Sequence, residues 1–444
     1  MNEGIELIAG NNCGVMDKAA QIKSTRVPQS VIDTLLEHVS LVELVKESTH
    51  VKSVSGSLVA HCPFHVRGQN SDTLSIDSVE QRFSCLECGF HGSAIGWLMF
   101  HDGLSFQDSV FMLAQRSQVD VSEWITPESI ESSRLAKRSL LTEIEHFYSE
   151  QLSLSSDALS YLHDRGLTDE TIQRFGIGFA PGKSSALIDS FPKRSRNLWN
   201  QGLLVRLSNG EYGQRFRERI VFPIRDSDGN TVGFGGRALD DSQPKYLNSP
   251  SSPTFNKSKL LYGFFEALQS ARDGERFILV EGYIDVLALH QAGFDGAIAA
   301  LGTSPSEHHI QAIFSKSDQL VACFDGDLAG EKAAERLLLA ALPHLEDHQY
   351  LSFALLPPNQ DPDSFIRANG REALASFLDS SVPAEVFLHD TLSRDLDLSS
   401  IGGKAKFASI ARPILESIIS TRLRDSVIEL VEVSIGIPWF DIEA

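Results

Sequence analysis

The chain has 444 residues, 42% of them hydrophobic and 22% charged, which is long enough for two to four domains and ordinary for a soluble globular protein. No apolar run reaches the ~18 residues of a membrane span, and the first 26 residues carry acids and Asn where a leader needs a basic start, so the expectation is a cytoplasmic protein with no membrane contact. A net charge of −20 argues against a general affinity for polyanions, and five cysteines, three of them clustered, do not make a disulfide framework.

Residues 1–26 lack periodicity and read as an N-terminal extension. From Pro28 the pattern turns helical, with Val31, Leu35 and Val39 on one face, and Ser40 with Glu43 forms a capping-box start for a second short helix. Alternating stretches at His50–Val54, Leu58–Ala60, Thr73–Asp77 and Gln81–Ser84 predict a small sheet, and a helix follows over Gly92–Phe100. Cys62 and His65 sit two residues apart in one turn of this sheet, and Cys85 and Cys88 repeat that gap in another. Four such ligands favour one tetrahedral Zn²⁺ with no open position, so the expected role is structural. Gly89 permits the backbone turn that aims amides at the sulfurs. His61 and His91 lack the two-residue gap and rank below His65.

The polar stretch 126–138 reads as a linker between a zinc-binding domain (27–125) and a mixed helix and strand block (139–274). Between Arg206 and Lys259 nine Lys/Arg face six Asp/Glu, whereas from Asp361 onward eight face fourteen, so the middle of the chain is where a phosphate backbone fits. Arg215, Arg217 and Arg219 alternate as along a strand, which would project all three from one face. Arg237, Lys245, Asn248, Lys257 and Lys259 follow, a set suited to holding a template strand or a nucleoside triphosphate.

A plain alternation comes next: strand Arg276–Val280, helix Ile284–Ala292, strand Gly296–Leu301, helix Ser306–Phe314, strand Gln319–Phe324, helix Ala329–Leu342 and strand Tyr350–Leu355. This pattern predicts a parallel α/β sheet over 275–370, followed by a helical segment over 371–444. Glu281, Asp325 and Asp327 fall at the C-terminal ends of their strands, where open α/β sheets bind ligands. Asp285 lies one helical turn after Glu281, and Asp361 and Asp363 follow the next strand. Crowded carboxylates raise one another's pKa unless a cation neutralises them, so a divalent metal, Mg²⁺ or Mn²⁺, is the expected partner.

With these residues in place, the chain after residue 26 resembles the bacterial DnaG-type primases. The resemblance rests on Cys62-Pro-Phe-His65, Cys85-Leu-Glu-Cys-Gly-Phe-His-Gly92, Arg219-Ile-Val-Phe-Pro-Ile-Arg-Asp226, Gly233-Phe-Gly-Gly-Arg237, Pro244-Lys-Tyr-Leu-Asn-Ser-Pro250, Leu261-Tyr-Gly263, Val280-Glu-Gly-Tyr-Ile-Asp285 and Phe324-Asp-Gly-Asp327. It implies a multidomain α/β protein: a zinc-ribbon-like domain, then a polymerase core containing a Toprim subdomain, then a helical tail. It implies Mg²⁺-dependent synthesis of short RNA primers on single-stranded DNA from ribonucleoside triphosphates. In that scheme Glu281, Asp325 and Asp327 are catalytic, and these three with Asp285, Asp361 and Asp363 bind the metals. Arg237, Lys245, Asn248, Lys257 and Arg165 would lie beside template, primer or incoming nucleotide. The replicative helicase and a single-strand-binding protein are the further partners implied.

Two departures stand out. The family's acidic-Lys-Thr-Pro-Ser-Phe-like segment after the histidine is absent from Val66–Ile76, and the residues stop near the end of the polymerase core, before the helicase-docking helical domain. The expectation is therefore a short or truncated form. The competing readings are a Toprim topoisomerase or nuclease, for which a separate tyrosine-bearing domain is not evident, and a non-catalytic single-strand-binding accessory.

Overall fold

A computed structural model describes residues 27–54, 57–62, 73–85, 91–101, 104, 106–207, 210–240, 242–250, 255–270, 275–302 and 305–439, with backbone alone at 100 and 128–139. The expected N-terminal extension, His65, Cys88 and Gly89 lie outside the described residues. Two compact units divide the chain: residues up to Gly96 with Phe106–Glu131, and Trp97–Ser105 with Ser132 onward.

In the first unit α1 (Gln29–Glu37) starts after Pro28, and α2 (Leu41–Lys46) is capped by Ser40, whose hydroxyl accepts the Glu43 N–H at 3.3 Å. The Glu43 carboxylate pairs with Lys46 at 2.8 Å, so the Ser40 half of the expected capping box is present. Strands β1 (Val51–Val54), β2 (Ser57–Ala60), β3 (Leu74–Asp77), β4 (Arg82–Cys85) and β5 (His91–Gly92) form an antiparallel meander in sequence order. Leu74 and Ile76 pair with Cys85 and Phe83, and all four are buried, as the period of two requires of a half-buried sheet. Helix α3 (Ala94–Phe100) straddles the division at Gly96, and α4 (Phe106–Ser117) belongs to this first unit.

The stretch expected as a linker is helical. Helix α5 (Pro127–Ser153) runs through it for 27 residues, and the division between units falls inside it at Glu131 and Ser132. Pro127 occupies the first turn, where its missing N–H costs nothing, and no Gly or Pro follows to stop the helix. Polarity marked the join between the units and left its conformation open; Ser, Glu, Lys and Arg are all compatible with a helix.

The second unit continues with α6 (Ser156–Asp164), α7 (Asp169–Arg174), β6 (Gly178–Ala180), α8 (Ala186–Ser190), α9 (Ser195–Asn200), the hairpin β7 (Leu204–Arg206) with β8 (Tyr212–Gln214), β9 (Arg219–Arg225), β10 (Thr231–Ala238) and β11 (Tyr246–Asn248). Strands β11, β10, β9 and β6 form one antiparallel sheet over a core of Tyr148, Phe216, Phe234 and Leu198. The short β12 (Leu261–Tyr262) and α10 (Phe264–Ser270) lead into β13 (Phe277–Val280), α11 (Tyr283–Gln291), β14 (Ala297–Ala300), α12 (Glu307–Phe314), β15 (Gln319–Phe324), α13 (Leu328–Ala341), β16 (Tyr350–Leu355), α14 (Pro362–Asp379) and β17 (Val382–Pro383). Helices α15 (Ala384–Ser393), α16 (Ile401–Ser417) and α17 (Thr421–Ile435) follow, as the helical tail predicted.

The expected α/β sheet is present, with strand order β12-β14-β13-β15-β16-β17. The central four strands are parallel, and β12 and β17 add antiparallel edges that the alternation did not reveal. Along β13 and β15, Leu279, Ala322 and Phe324 enter the core cluster shared with α13, whereas Ile278, Val280, Val321 and Cys323 enter the cluster shared with α11 and α14. Both faces are thus covered, and the strands read as continuous apolar runs for that reason. No described helix is long and apolar enough to cross a membrane.

Candidate active site

Strands β13, β15 and β16 are neighbours, so Glu281, Asp325 and Asp361 follow adjacent parallel strands at one edge of the sheet. Glu281 Oε1 accepts the Asp325 N–H at 3.0 Å, and Asp285 Oδ1 accepts the Asp363 N–H at 3.3 Å. Asp327 and Asp361 are the N-caps of α13 and α14: Asp327 Oδ1 accepts the N–H groups of Ala329 and Gly330 at 2.8 Å each, and Asp361 Oδ1 accepts that of Ser364 at 2.7 Å. Two glycines allow this packing. A Cβ at Gly326 would lie 2.0 Å from the Pro357 oxygen, and one at Gly330 would lie 2.2 Å from the Asp325 oxygen and 2.9 Å from Glu281 Oε1.

The electrostatics are unbalanced. Burial first, then Glu281, Asp361 and Asp327, push Asp325 up to about 7. Asp285 is almost fully buried and is raised well above the carboxylate range by burial and then by Asp325 and Asp361; Glu281 is raised chiefly by burial. Asp325 Oδ1 is buried with no hydrogen-bond partner among the described residues. An orphaned carboxylate oxygen inside a cluster of acids fits a hard divalent cation, which takes oxygen ligands and relieves the repulsion. Among the described residues no three acidic, His or Cys side chains already converge on one point. A cation that keeps waters and phosphate oxygens in its shell needs only one or two of them.

Asp363 stands apart from the other acids. Its Oδ1 accepts Arg367 Nε at 3.0 Å, and its Oδ2 accepts Arg367 Nη2 at 2.9 Å and Arg165 Nη1 at 3.4 Å. Both oxygens of this 1% exposed carboxylate are therefore engaged by guanidinium groups.

The basic residues do not share one strand face. Glu218 has a φ of 50°, which breaks the strand before β9, so Arg215 and Arg217 lie in the β8–β9 connection and only Arg219 is in a strand. Arg219 is buried and donates Nη1 to the main-chain oxygens of Lys245 at 3.1 Å and Gly236 at 3.4 Å, so it braces β9 against β10 and β11. Arg215 lies close enough to Lys257 to lower the lysine's pKa, after the larger effect of burial, and the buried Arg215 Nε has no partner among the described residues. Arg237 is 7% exposed, bonds the Tyr246 hydroxyl, and lies 5.4 Å and 5.3 Å from the Tyr161 and Tyr246 ring centres; its Nε is also unpartnered. Lys245 and Lys259 are exposed, and Asn248 accepts from Tyr283 and donates to the Leu301 oxygen.

Sequence reasoning missed Tyr161, Tyr246, Tyr283 and Arg367. The Asp363–Arg367 spacing of four on a helix was a readable signal; Tyr246 and Tyr283 stand inside quoted motifs without a role read for them, and Tyr161 carried no signal, because only the fold brings it to Arg237.

In the first unit Cys62 follows β2 and Cys85 ends β4, both buried, with Cys85 Sγ 3.5 Å from Thr73 Oγ1, and His61 and His91 are exposed. Two buried sulfurs fit half of a tetrahedral zinc site, and thiolates are the donors zinc prefers. The other half falls outside the described residues.

Three family models match successive parts of the chain: CHC2 zinc finger over 27–128, DNA primase catalytic core, N-terminal domain over 147–268, and Toprim-like over 278–366. Fold and site together define a zinc-finger protein with a Toprim-type catalytic core that binds divalent metal. Among relatives, the DNA primase of Pasteurella multocida is 39% identical over 93% of this chain and 72% of its own length, and that of Escherichia coli K12 is 37% identical over 90% and 70%. A solved DnaG primase catalytic domain bound to ssDNA is 38% identical, with a TM-score of 0.65 over 68% of this chain and 99% of that one. The zinc-binding and RNA polymerase domains of Aquifex aeolicus primase are 27% identical, with a TM-score of 0.59 over 92% of this chain and 98% of that one. The chain belongs to the DnaG-type DNA primases. It is an enzyme of RNA primer synthesis, and the topoisomerase, nuclease and non-catalytic readings fall away.

Proposed function

We propose that primer synthesis takes place at the edge formed by Glu281, Asp325 and Asp327, with Mg²⁺ or Mn²⁺ held there by these three together with Asp285 and Asp361. The observation that carries this reading is the buried, unpartnered Asp325 Oδ1 at the end of the central parallel strand. When bound, the metal supplies positive charge to the phosphates of the reacting triphosphate. Asp327 and Asp361 each spend one oxygen on a helix cap, which fixes the remaining oxygen without a rotamer search. Glu281 is oriented by the Asp325 N–H. Asp363 joins an ion only by giving up an arginine, so its role is to anchor Arg165 and Arg367 beside the cluster.

Arg237, Lys257 and Arg215 supply the cationic counterpart. Arg215 Nε and Arg237 Nε have no partner among the described residues, Lys257 is half-buried beside Arg215, and these cationic heads suit a triphosphate or a backbone phosphate; the clamp of two tyrosines holds Arg237 in place. Asn248 adds a polar contact, and exposed Lys245 and Arg217 extend the charge toward a single-stranded DNA template and RNA primer. Arg219 supports this surface from beneath. The zinc is single and structural, held by Cys62, His65, Cys85 and Cys88 in a domain over 27–125, and the polymerase core comprises 139–274, 275–370 and 371–444. A replicative helicase and a single-strand-binding protein remain proposed partners. Template-directed incorporation of labelled ribonucleotides tests the site: Glu281→Gln and Asp325→Asn abolish it if the acids hold the metal, and full activity in either variant would refute the assignment.

A further inference from the structure

Beside the acidic cluster lies a cavity of about 240 Å³ whose charge is unbalanced, with Arg165, Arg367 and Arg371 in its wall against the single carboxylate of Asp363. Helix α14 breaks at Gly370, where φ is 82°, and the two segments contribute Arg367 and Arg371 respectively. Arg371 donates Nε to the Ala292 oxygen at 2.9 Å and lies 5.4 Å from the Phe294 ring centre, which fixes its guanidinium plane. Its terminal nitrogens have no hydrogen-bond partner among the described residues, and the same holds for Arg367 Nη1 and Arg165 Nη2. Gln291, also in the wall, donates to the Gly166 oxygen at 2.7 Å and accepts the Thr168 N–H at 2.8 Å, so its amide is spent on structure.

Three planar forks with spare donors and one carboxylate between them leave two positive charges without protein counter-ions. Guanidinium forks bind carboxylate and phosphate oxygens bidentately, and a phosphate, which carries more than one negative charge, balances the two that Asp363 leaves over. The volume is below the ~300–1,000 Å³ of pockets that enclose drug-sized ligands and matches one or two phosphate groups. We propose that this cavity is a phosphate or diphosphate site, distinct from the metal-binding acids and adjoining them through Asp363. The same chemistry is offered by a free anion such as pyrophosphate, which primer synthesis releases, and by a phosphodiester of a nucleic-acid backbone. An occupant competes with Asp363 for Arg165 and Arg367. Because the Asp363 N–H donates to Asp285, a filled cavity acts on the acidic cluster without touching it.

The test is calorimetric titration of the zinc-loaded full chain with inorganic pyrophosphate, without added divalent metal, using the parent protein, Arg371→Gln, Arg371→Lys and Asp325→Asn. Arg371 is exposed and bonds none of the acidic residues of the cluster, so both of its variants should fold, which far-UV circular dichroism and thermal unfolding check. The site predicts at least about tenfold weaker binding for Arg371→Gln, an intermediate loss for Arg371→Lys, and no loss for Asp325→Asn. Equal pyrophosphate affinity in Arg371→Gln and parent overturns the proposal, and so does binding that disappears in Asp325→Asn. A single-stranded oligonucleotide added to the pyrophosphate complex identifies the source: displacement that depends on Arg371 assigns the cavity to a backbone phosphate, and retention assigns it to the free anion.

Discussion

The Tyr283 hydroxyl donates a 2.6 Å hydrogen bond to Asn248 Oδ1, joining the first helix after the Glu281 strand to the edge strand of the neighbouring antiparallel sheet. The Tyr283 ring stacks on Phe222 at 4.8 Å, so the hydroxyl cannot wander. Asn248 is thereby presented with its carbonyl occupied and its amide directed at the Leu301 oxygen and the surrounding site. Tyr283→Phe keeps the stack and removes only the donor. The expected loss is about 1 kcal/mol, or roughly fivefold, in kcat/KM for nucleotide incorporation, with a shift in melting temperature of no more than a few degrees. Steady-state incorporation kinetics measured beside thermal unfolding check this; a large fall in stability with unchanged kinetics would show that the bond serves the fold alone.

Asp325 divides activity from stability. Its carboxylate is half-buried among Glu281, Asp361 and Asp327, and their mutual repulsion burdens the metal-free protein. Asp325→Asn should lower primer synthesis by about 10²-fold or more. At pH 8 without divalent metal, the same variant should melt a few degrees higher than the parent, because one charge leaves the cluster while the shape is kept. Added Mg²⁺ should raise the melting temperature of the parent more than that of the variant. A variant that melts lower than the parent under metal-free conditions would show that the carboxylate is satisfied within the fold.

Much of this site was legible because two signals coincided. The apolar runs ending at Val280 and Phe324 marked parallel strands, and Glu281, Asp325 and Asp327 followed them where such sheets bind ligands. Asp361 and Asp327 were read as metal-binding acids, and each also turned out to cap a helix. The alternation of Arg215, Arg217 and Arg219 misled because a strand pattern says nothing of a positive φ at Glu218, a residue type that rarely adopts one. The stretch 126–138 was read as a linker from its polarity; the division between the two units falls within it, and what polarity did not reveal is that its backbone is helical. Tyr161 was illegible for another reason: it meets Arg237 through tertiary packing between elements far apart in sequence.

Arg225 is a mostly buried electrostatic staple between two carboxylates. It bonds Glu145 at 2.5 Å and also Glu266, and Thr231 donates to the other Glu145 oxygen, linking α5, β9, β10 and α10. Arg225→Ala would leave two mostly buried carboxylates with their shared cation removed. The expected cost is about 3–5 kcal/mol, far above that of removing a surface charge. Urea unfolding of Arg225→Ala and of the triple variant Arg225→Met, Glu145→Gln, Glu266→Gln should separate the two contributions. The triple variant should recover a large part of the loss, since the stranded charges are gone. If the single variant costs less than about 1 kcal/mol, solvent reaches these carboxylates and the staple is superficial.

His309 makes acid stability testable. The residue is fully buried at the start of α12, where Nδ1 accepts the Ser306 N–H at 3.1 Å and the Ser306 hydroxyl accepts the His309 N–H at 3.4 Å. An accepting Nδ1 requires the neutral ring, and burial pulls the pKa from its ordinary 6.5 down to about 4. The folded value lies below the unfolded one, so the unfolded chain binds the proton first as pH falls. The contribution of the neutral ring is therefore complete above pH 6.5 and is lost as pH drops from there through about 4. Gln at this position reaches the same cap without titrating, as the usual third residue of a capping box does. His309→Gln should thus lose less stability than the parent between pH 7 and pH 4.5, by about 1–3 kcal/mol in urea unfolding, with the acids common to both proteins cancelling in the comparison. Parallel stability curves across that range would mean that the imidazole keeps its charge equilibrium unchanged on folding.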